Sequence, residues 1–136
     1  MSAKPVSSKL GPVKPVQAAA PRRALIVDDN RGSAAVSATL LEASGWEFDL
    51  ARDGFEAVTR LREGCYSTVL LDYRLPGMDG VEVMEWIRRN LKPAPRVIVL
   101  SADPMATLDN RFGGLGVSSI LNKPVTAKDL CRAMDA

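Results

Sequence analysis

From Ala24 onward the chain alternates short aliphatic runs with segments of helical spacing, and no other feature limits its fold as tightly. The runs ALIVD (24–28), EFDLA (47–51), STVLLD (67–72), RVIVLS (96–101) and SSILNK (118–123) read as five strands. Between them, residues 33–44 predict a helix with Val36, Leu40 and Leu41 as its apolar positions, closed by Gly45. Residues 55–62 and 81–90 predict two more, the second with Val81, Met84, Ile87 and Leu91 at helical spacing. Met105 to Phe112 is a poorer helix with Gly113, Gly114 and Gly116 behind it, and Thr126 with Asp129 resembles a capping box for a last helix carrying Leu130, Ala133 and Met134. Strict alternation, short connections and strands apolar on both faces predict one α/β domain, a doubly wound (βα)5 unit whose parallel sheet is covered by helices on both faces. Right-handed crossovers leave few topologies; the expected strand order is 2-1-3-4-5, with ligands bound at the carboxyl ends of the strands.

A length of 136 residues holds one domain with a core of its own, and 46% hydrophobic with 25% charged residues is ordinary for a globular chain. No apolar run approaches the ~20 residues of a membrane span, and no secretion signal opens the chain, so a cytoplasmic location is expected. Cys65 and Cys131 lack the close spacing of metal or redox motifs and read as reduced structural thiols. The absence of histidine removes the usual zinc ligands, histidine general bases and any phospho-histidine carrier role. Chemistry is left to carboxylates, hydroxyls and lysine.

The first 22 residues, rich in Pro, Ala, Ser and Lys, show neither strand nor helix periodicity and predict a flexible tail ahead of a domain over residues 23–136. Lys4, Lys9, Lys14, Arg22 and Arg23 make this end basic, while all 16 acidic residues lie beyond it. Five dispersed charges without aromatics read as a solvated leader rather than a nucleic-acid or anionic-lipid contact, and no nucleic-acid binding is expected of the domain.

The predicted strand ends collect Asp28, Asp29 and Asn30 after strand 1, Asp72 after strand 3, Ser101 after strand 4, and Lys123 with Pro124 after strand 5. Taken singly, each has a plain structural explanation as a helix cap, a turn former or a surface charge. Gathered on one edge of one sheet, they make a site. Three carboxylates brought together repel and call for a hard divalent cation, for which Mg²⁺ fits best because it accepts a few carboxylates plus phosphate oxygens. Lys123 and Ser101 then add a charge and a hydroxyl donor opposite the metal, an arrangement suited to stabilising a phosphoryl group on a carboxylate.

The segments VDDN, LLDYRLPGMDG, VLSA and NKP, in that order and spacing, resemble the receiver domain of bacterial response regulators over residues 23–136. The resemblance implies that Asp72 is the phospho-acceptor and that Asp28, Asp29, Asp72 and the backbone carbonyl of Arg74 hold Mg²⁺. It further implies that Ser101 bonds a phosphoryl oxygen, that Lys123 pairs with the phosphoryl group, and that the bond before Pro124 is cis. Gly77, Met78, Asp79 and Gly80 fall in the loop leading into helix 3. The donor implied is a sensor histidine kinase or a histidine phosphotransfer protein. The downstream protein partner is expected on helix 4, strand 5 and helix 5. The chain departs from the family pattern at Ile120, where many members carry a switching Tyr or Phe. Arg74 lies where the family tunes water access, as a shield or a partner guide; Ala102 is a common residue at such a position.

A haloacid-dehalogenase-type phosphatase also uses an aspartyl nucleophile, but needs a second Asp two residues on, where this chain has Arg74. Neither glycine-rich nucleotide motif follows strand 1. A receiver-like docking module that is never phosphorylated is the remaining binding-class reading, opposed by the intact Asp72, Lys123 and acidic pair. Met1, the continuous tail and the end of the chain after the last helix favour a stand-alone regulator over the receiver portion of a larger hybrid kinase or regulator.

Overall fold

The computed structural model describes residues 22–135. Of the expected tail, residues 1–21 lie outside the described residues. Arg22 donates to the Ser44 carbonyl at 2.8 Å and stacks on Trp46, which ties the entry of the first strand to the end of the first helix. Ten elements follow in alternation: β1 (Arg23–Val27), α1 (Arg31–Ala43), β2 (Glu47–Ala51), α2 (Gly54–Glu63), β3 (Thr68–Asp72), α3 (Gly80–Asn90), β4 (Arg96–Ser101), α4 (Met105–Phe112), β5 (Ser119–Asn122) and α5 (Ala127–Asp135). The strands form one sheet in the order β2-β1-β3-β4-β5, every pair parallel.

Side chains alternate across the sheet and divide the core in two. Leu25, Val27, Val69, Leu71, Val97 and Val99 face α2, α3 and α4 through Leu61, Ile87 and Phe112. Ala24, Ile26, Leu70, Ile98 and Leu100 face the other way, onto α1 and α5 through Leu41, Leu130 and Met134. The expectation of strands apolar on both faces holds for β3, buried at all five positions, but not for the edges. Leu50 of β2 is 43% exposed, and β5 has no fully buried residue, because each edge strand has a neighbour on one side only.

Helix starts are set by side-chain caps that shift them from their periodicity-based bounds. Asn30 accepts from Ser33 N and starts α1 two residues early. Its buried face is Ala34, Ser37 and Leu41, not the Val36 stripe: Val36 lies about 200° round from Ala34 and is 50% exposed. Asp53 caps α2, and Asp79 with Glu82 forms the reciprocal capping box of α3. The buried face of α3 is Val83, Met84 and Ile87, with Leu91 extended just past the helix rather than continuing it. Thr126 Oγ1 accepts from Asp129 N at the start of α5, as its pattern predicts. The Lys123–Pro124 bond is cis, as the family resemblance implies, and so is Lys92–Pro93. Cys65 and Cys131 are exposed free thiols rather than core residues, so their structural role is withdrawn.

Candidate functional site

Parallel pairing in register brings the carboxyl ends of β1, β3, β4 and β5 to one edge: Val27 lies opposite Leu71, Asp72 opposite Leu100, and Ser101 opposite Asn122. The residues that follow must then project over the same edge. Asp28 is 5% exposed and Asp72 7%, while Asp29 is exposed. Carboxylate oxygens of all three lie within 4.8 Å of one another. Asp28 is held from two sides, its amide donating to Ala51 O and its Oδ1 accepting from Asn30 N, each at 3.0 Å. Asn30 itself serves as the α1 cap, the plainer of its two possible roles.

Lys123 leaves β5 with its backbone N–H donating to Ser101 O and reaches across the sheet edge. Its Nζ lies 3.2 Å from Asp28 Oδ2 and 3.4 Å from Asp72 Oδ2, bridging the two buried acids. Even so, burial pushes the Asp72 carboxyl up to about 6, with Lys123 opposing the shift and Asp28 adding to it. One ammonium therefore neutralises the acidic cluster only in part. Three hard oxygen donors on one edge, partly neutralised by one ammonium, fit a small divalent cation such as Mg²⁺.

The loop after β3 frames the other side. Arg74 N lies 3.4 Å from Asp72 Oδ1, so its main chain abuts the Asp72 carboxylate. Gly80 closes the loop by donating to Tyr73 O at 3.0 Å, and a Cβ there would stand 2.7 Å from the Asp72 carbonyl. Only glycine lets the start of α3 come this close to the strand that carries Asp72.

Ser101 is placed as its position in the sequence predicts, at the end of β4 and 1% exposed, but its hydroxyl donates to Asp103 Oδ2 at 2.6 Å. Asp103 N donates back to Ser101 Oγ at 3.0 Å. The same carboxylate takes a two-pronged bond from Arg74, Nε to Oδ2 at 3.2 Å and an Nη to Oδ1 at 2.8 Å. Arg74 and then Ser101 hold the Asp103 carboxyl down at about 2, so it stays ionised at neutral pH. Arg74 is thus engaged with Asp103 and stacked on the Tyr73 ring. Asp103 was missed in the sequence because an Asp before a Pro reads as a turn former; Arg74, 29 residues earlier, gives it its meaning.

The family model for the response regulator receiver domain matches residues 24–135. Among curated relatives, the sensor protein GacS of Pseudomonas syringae is 33% identical over 134 residues, covering 95% of this chain but 14% of GacS. The polar-differentiation response regulator DivK of Brucella anthropi is 32% identical over 108 residues, 78% of this chain and 87% of DivK. The first relatives matched are therefore much longer, and the chain spans about a seventh of GacS or less of the length of others such as hybrid signal transduction histidine kinase B. A CheY-like receiver domain protein from Methanospirillum hungatei superposes with a TM-score of 0.77 at 25% identity, covering 85% of this chain and 92% of that one.

Proposed function

The chain belongs to the response regulator receiver family, and on that premise we propose that Asp72 accepts a phosphoryl group from a phospho-histidine on a sensor kinase or phosphotransfer protein. The observation that carries the assignment is the placement of Asp72: a buried carboxylate at the end of a central strand, with Asp28 and Asp29 within 4.8 Å on one side and Lys123 Nζ at 3.4 Å. An Asp72 carboxylate oxygen attacks phosphorus in line as the bond to the donor's imidazole nitrogen breaks. The electron pair leaves with the imidazole, and an acyl phosphate remains. Mg²⁺, held by Asp28, Asp29, Asp72 and the Arg74 carbonyl, would neutralise phosphoryl oxygens during transfer. Lys123 supplies the fixed positive charge from the protein side, and Ser101, once turned toward Asp72, supplies a hydroxyl donor.

The domain then acts by contact, with α4, β5 and α5 as the surface read by a downstream protein. The portion similar to this chain is 14% of GacS and 87% of DivK, so one such domain suits a long sensor and a short regulator alike. Among the described residues no helix is long and apolar enough to cross a membrane. Incubation with radiolabelled acetyl phosphate is expected to label the parent protein only when Mg²⁺ is present, and not to label Asp72→Asn. Full labelling of Asp72→Asn refutes the acceptor assignment.

A further inference from the structure

A serine hydroxyl has one proton to give. In this protein the Ser101 proton goes to Asp103 Oδ2 at 2.6 Å, and it cannot simultaneously go to a phosphoryl oxygen on Asp72. The competing acceptor is built to last. Its carboxylate is ionised, gripped at both oxygens by Arg74, and charge-assisted bonds of this kind are the stronger class. Arg74 is restrained in turn by lying 5.1 Å over the Tyr73 ring centroid. Main-chain freedom is limited as well, because Asn122 Nδ2 donates to the carbonyls of both Ser101 (3.2 Å) and Asp103 (2.9 Å) and pins the loop to β5. What is left to move is the Ser101 side chain.

We propose that Asp103, held by Arg74, is a positioning residue that keeps the Ser101 proton away from Asp72, so that this pair sets how tightly the site accepts a phosphoryl group. The inference rests on the receiver reading above and adds a cost to it: Ser101 can donate to a phosphoryl oxygen only by giving up a short bond to an anion. Asp103 acts through Ser101. Arg74, two places after Asp72, and Asp103, two places after Ser101, thereby act as one latch.

Beryllofluoride, which stands in for the phosphoryl group, measures this without turnover. Its affinity in the presence of Mg²⁺ is read by calorimetry for the parent, Asp103→Ala, Asp103→Asn, Ser101→Ala and the double variant Ser101→Ala with Asp103→Ala. Freeing Ser101 in Asp103→Ala is expected to tighten binding roughly tenfold, the size of one lost hydrogen bond to a charged group. Asp103→Asn, close to the parent in shape and able to accept the serine proton without the charge, is expected to gain less in the same direction. In the Ser101→Ala background the Asp103 substitution is expected to change nothing. Unchanged affinity in both Asp103 single variants overturns the latch. So does a gain of equal size without Ser101, which would mark a simple loss of negative charge near the site. Failure of the parent itself to bind beryllofluoride strikes the receiver reading first and the latch with it.

Discussion

Tyr73 meets Phe112 edge-on, their ring centroids 5.6 Å apart and their planes inclined at 75°. The residue after the proposed acceptor thus touches the last turn of α4, and both rings are buried in one cluster with Leu108 and Ile87. Arg74 and Arg111 lie over the same tyrosine ring at 5.1 Å and 5.9 Å, and Arg111 also pairs with Asp79 in the β3–α3 loop. Ile120, where many receivers have an aromatic, is half-buried against this cluster. A packed route from the site to α4 therefore exists without an aromatic residue in β5.

Replacing Asp72 by Asn is expected to stabilise the metal-free protein at neutral pH. The folded carboxyl titrates at about 6, above its ordinary value, so the stability it lends is present when it is protonated, below about pH 4, and is lost as pH rises through about 6. The amide has no such loss. Urea unfolding in EDTA should show the advantage of Asp72→Asn growing between pH 4 and 7 to on the order of 2 kcal/mol. An advantage that shrinks as pH rises would contradict the cause assigned to the shift.

Magnesium is expected to offset the same repulsion. A ligand at about ten times its Kd adds about 1.4 kcal/mol to the folded state, and each kcal/mol moves the melting temperature of a domain of this size by roughly 4 °C. Thermal melts of the parent should rise with millimolar Mg²⁺, and those of Asp28→Ala should rise far less. Equal shifts in the two proteins would place the ion elsewhere.

Gly80→Ala is expected to cost about 1–3 kcal/mol, the usual penalty for forcing an extra carbon into a filled space. The added Cβ would meet Asp72 O at 2.7 Å and Tyr73 Cα at 3.0 Å, and both belong to the main chain, so α3 must retreat from β3. Urea unfolding checks the loss. A substitution without cost would mean that the approach of α3 to β3 is looser than these distances indicate.

Sheet order and the gathering of Asp28, Asp29, Asp72 and Lys123 were legible in the sequence because parallel alternation dictates which strand ends coincide, whatever the loops do. What escaped depends on pairing between segments. The inward face of α1 is chosen by how closely Ala34 and Ser37 let the helix approach the sheet, and a count of large apolar residues favours Val36 instead. The direction of the Ser101 hydroxyl depends on Asp103, whose importance comes from Arg74 in another loop. Three-dimensional proximity, not local pattern, decided both.

The last expectation is the path by which phosphorylation is read. α4 is eight residues long, has Pro104 before it with no side-chain cap bond and Gly113 just after it, and Gly114 and Gly116 follow at positive φ. Leu108 and Phe112, both buried, and the exposed Arg111–Asp79 pair hold it, and a helix secured by few contacts shifts at small free-energy cost. Asn122 pins the loop before it to β5, so movement of Ser101 toward Asp72 loads that loop rather than freeing it. Helix α1 is better secured, by the Asn30 cap at its start and by the Arg22 bond to Ser44 at its end. Amide chemical shifts recorded with and without beryllofluoride should therefore change most, outside the strand ends that bind it, from Ser101 through Gly116. Tyr73 should change with them, since its ring rests on Phe112. Changes concentrated on α1 or α2 with α4 unmoved would rule out this route and turn attention to the opposite face of the sheet.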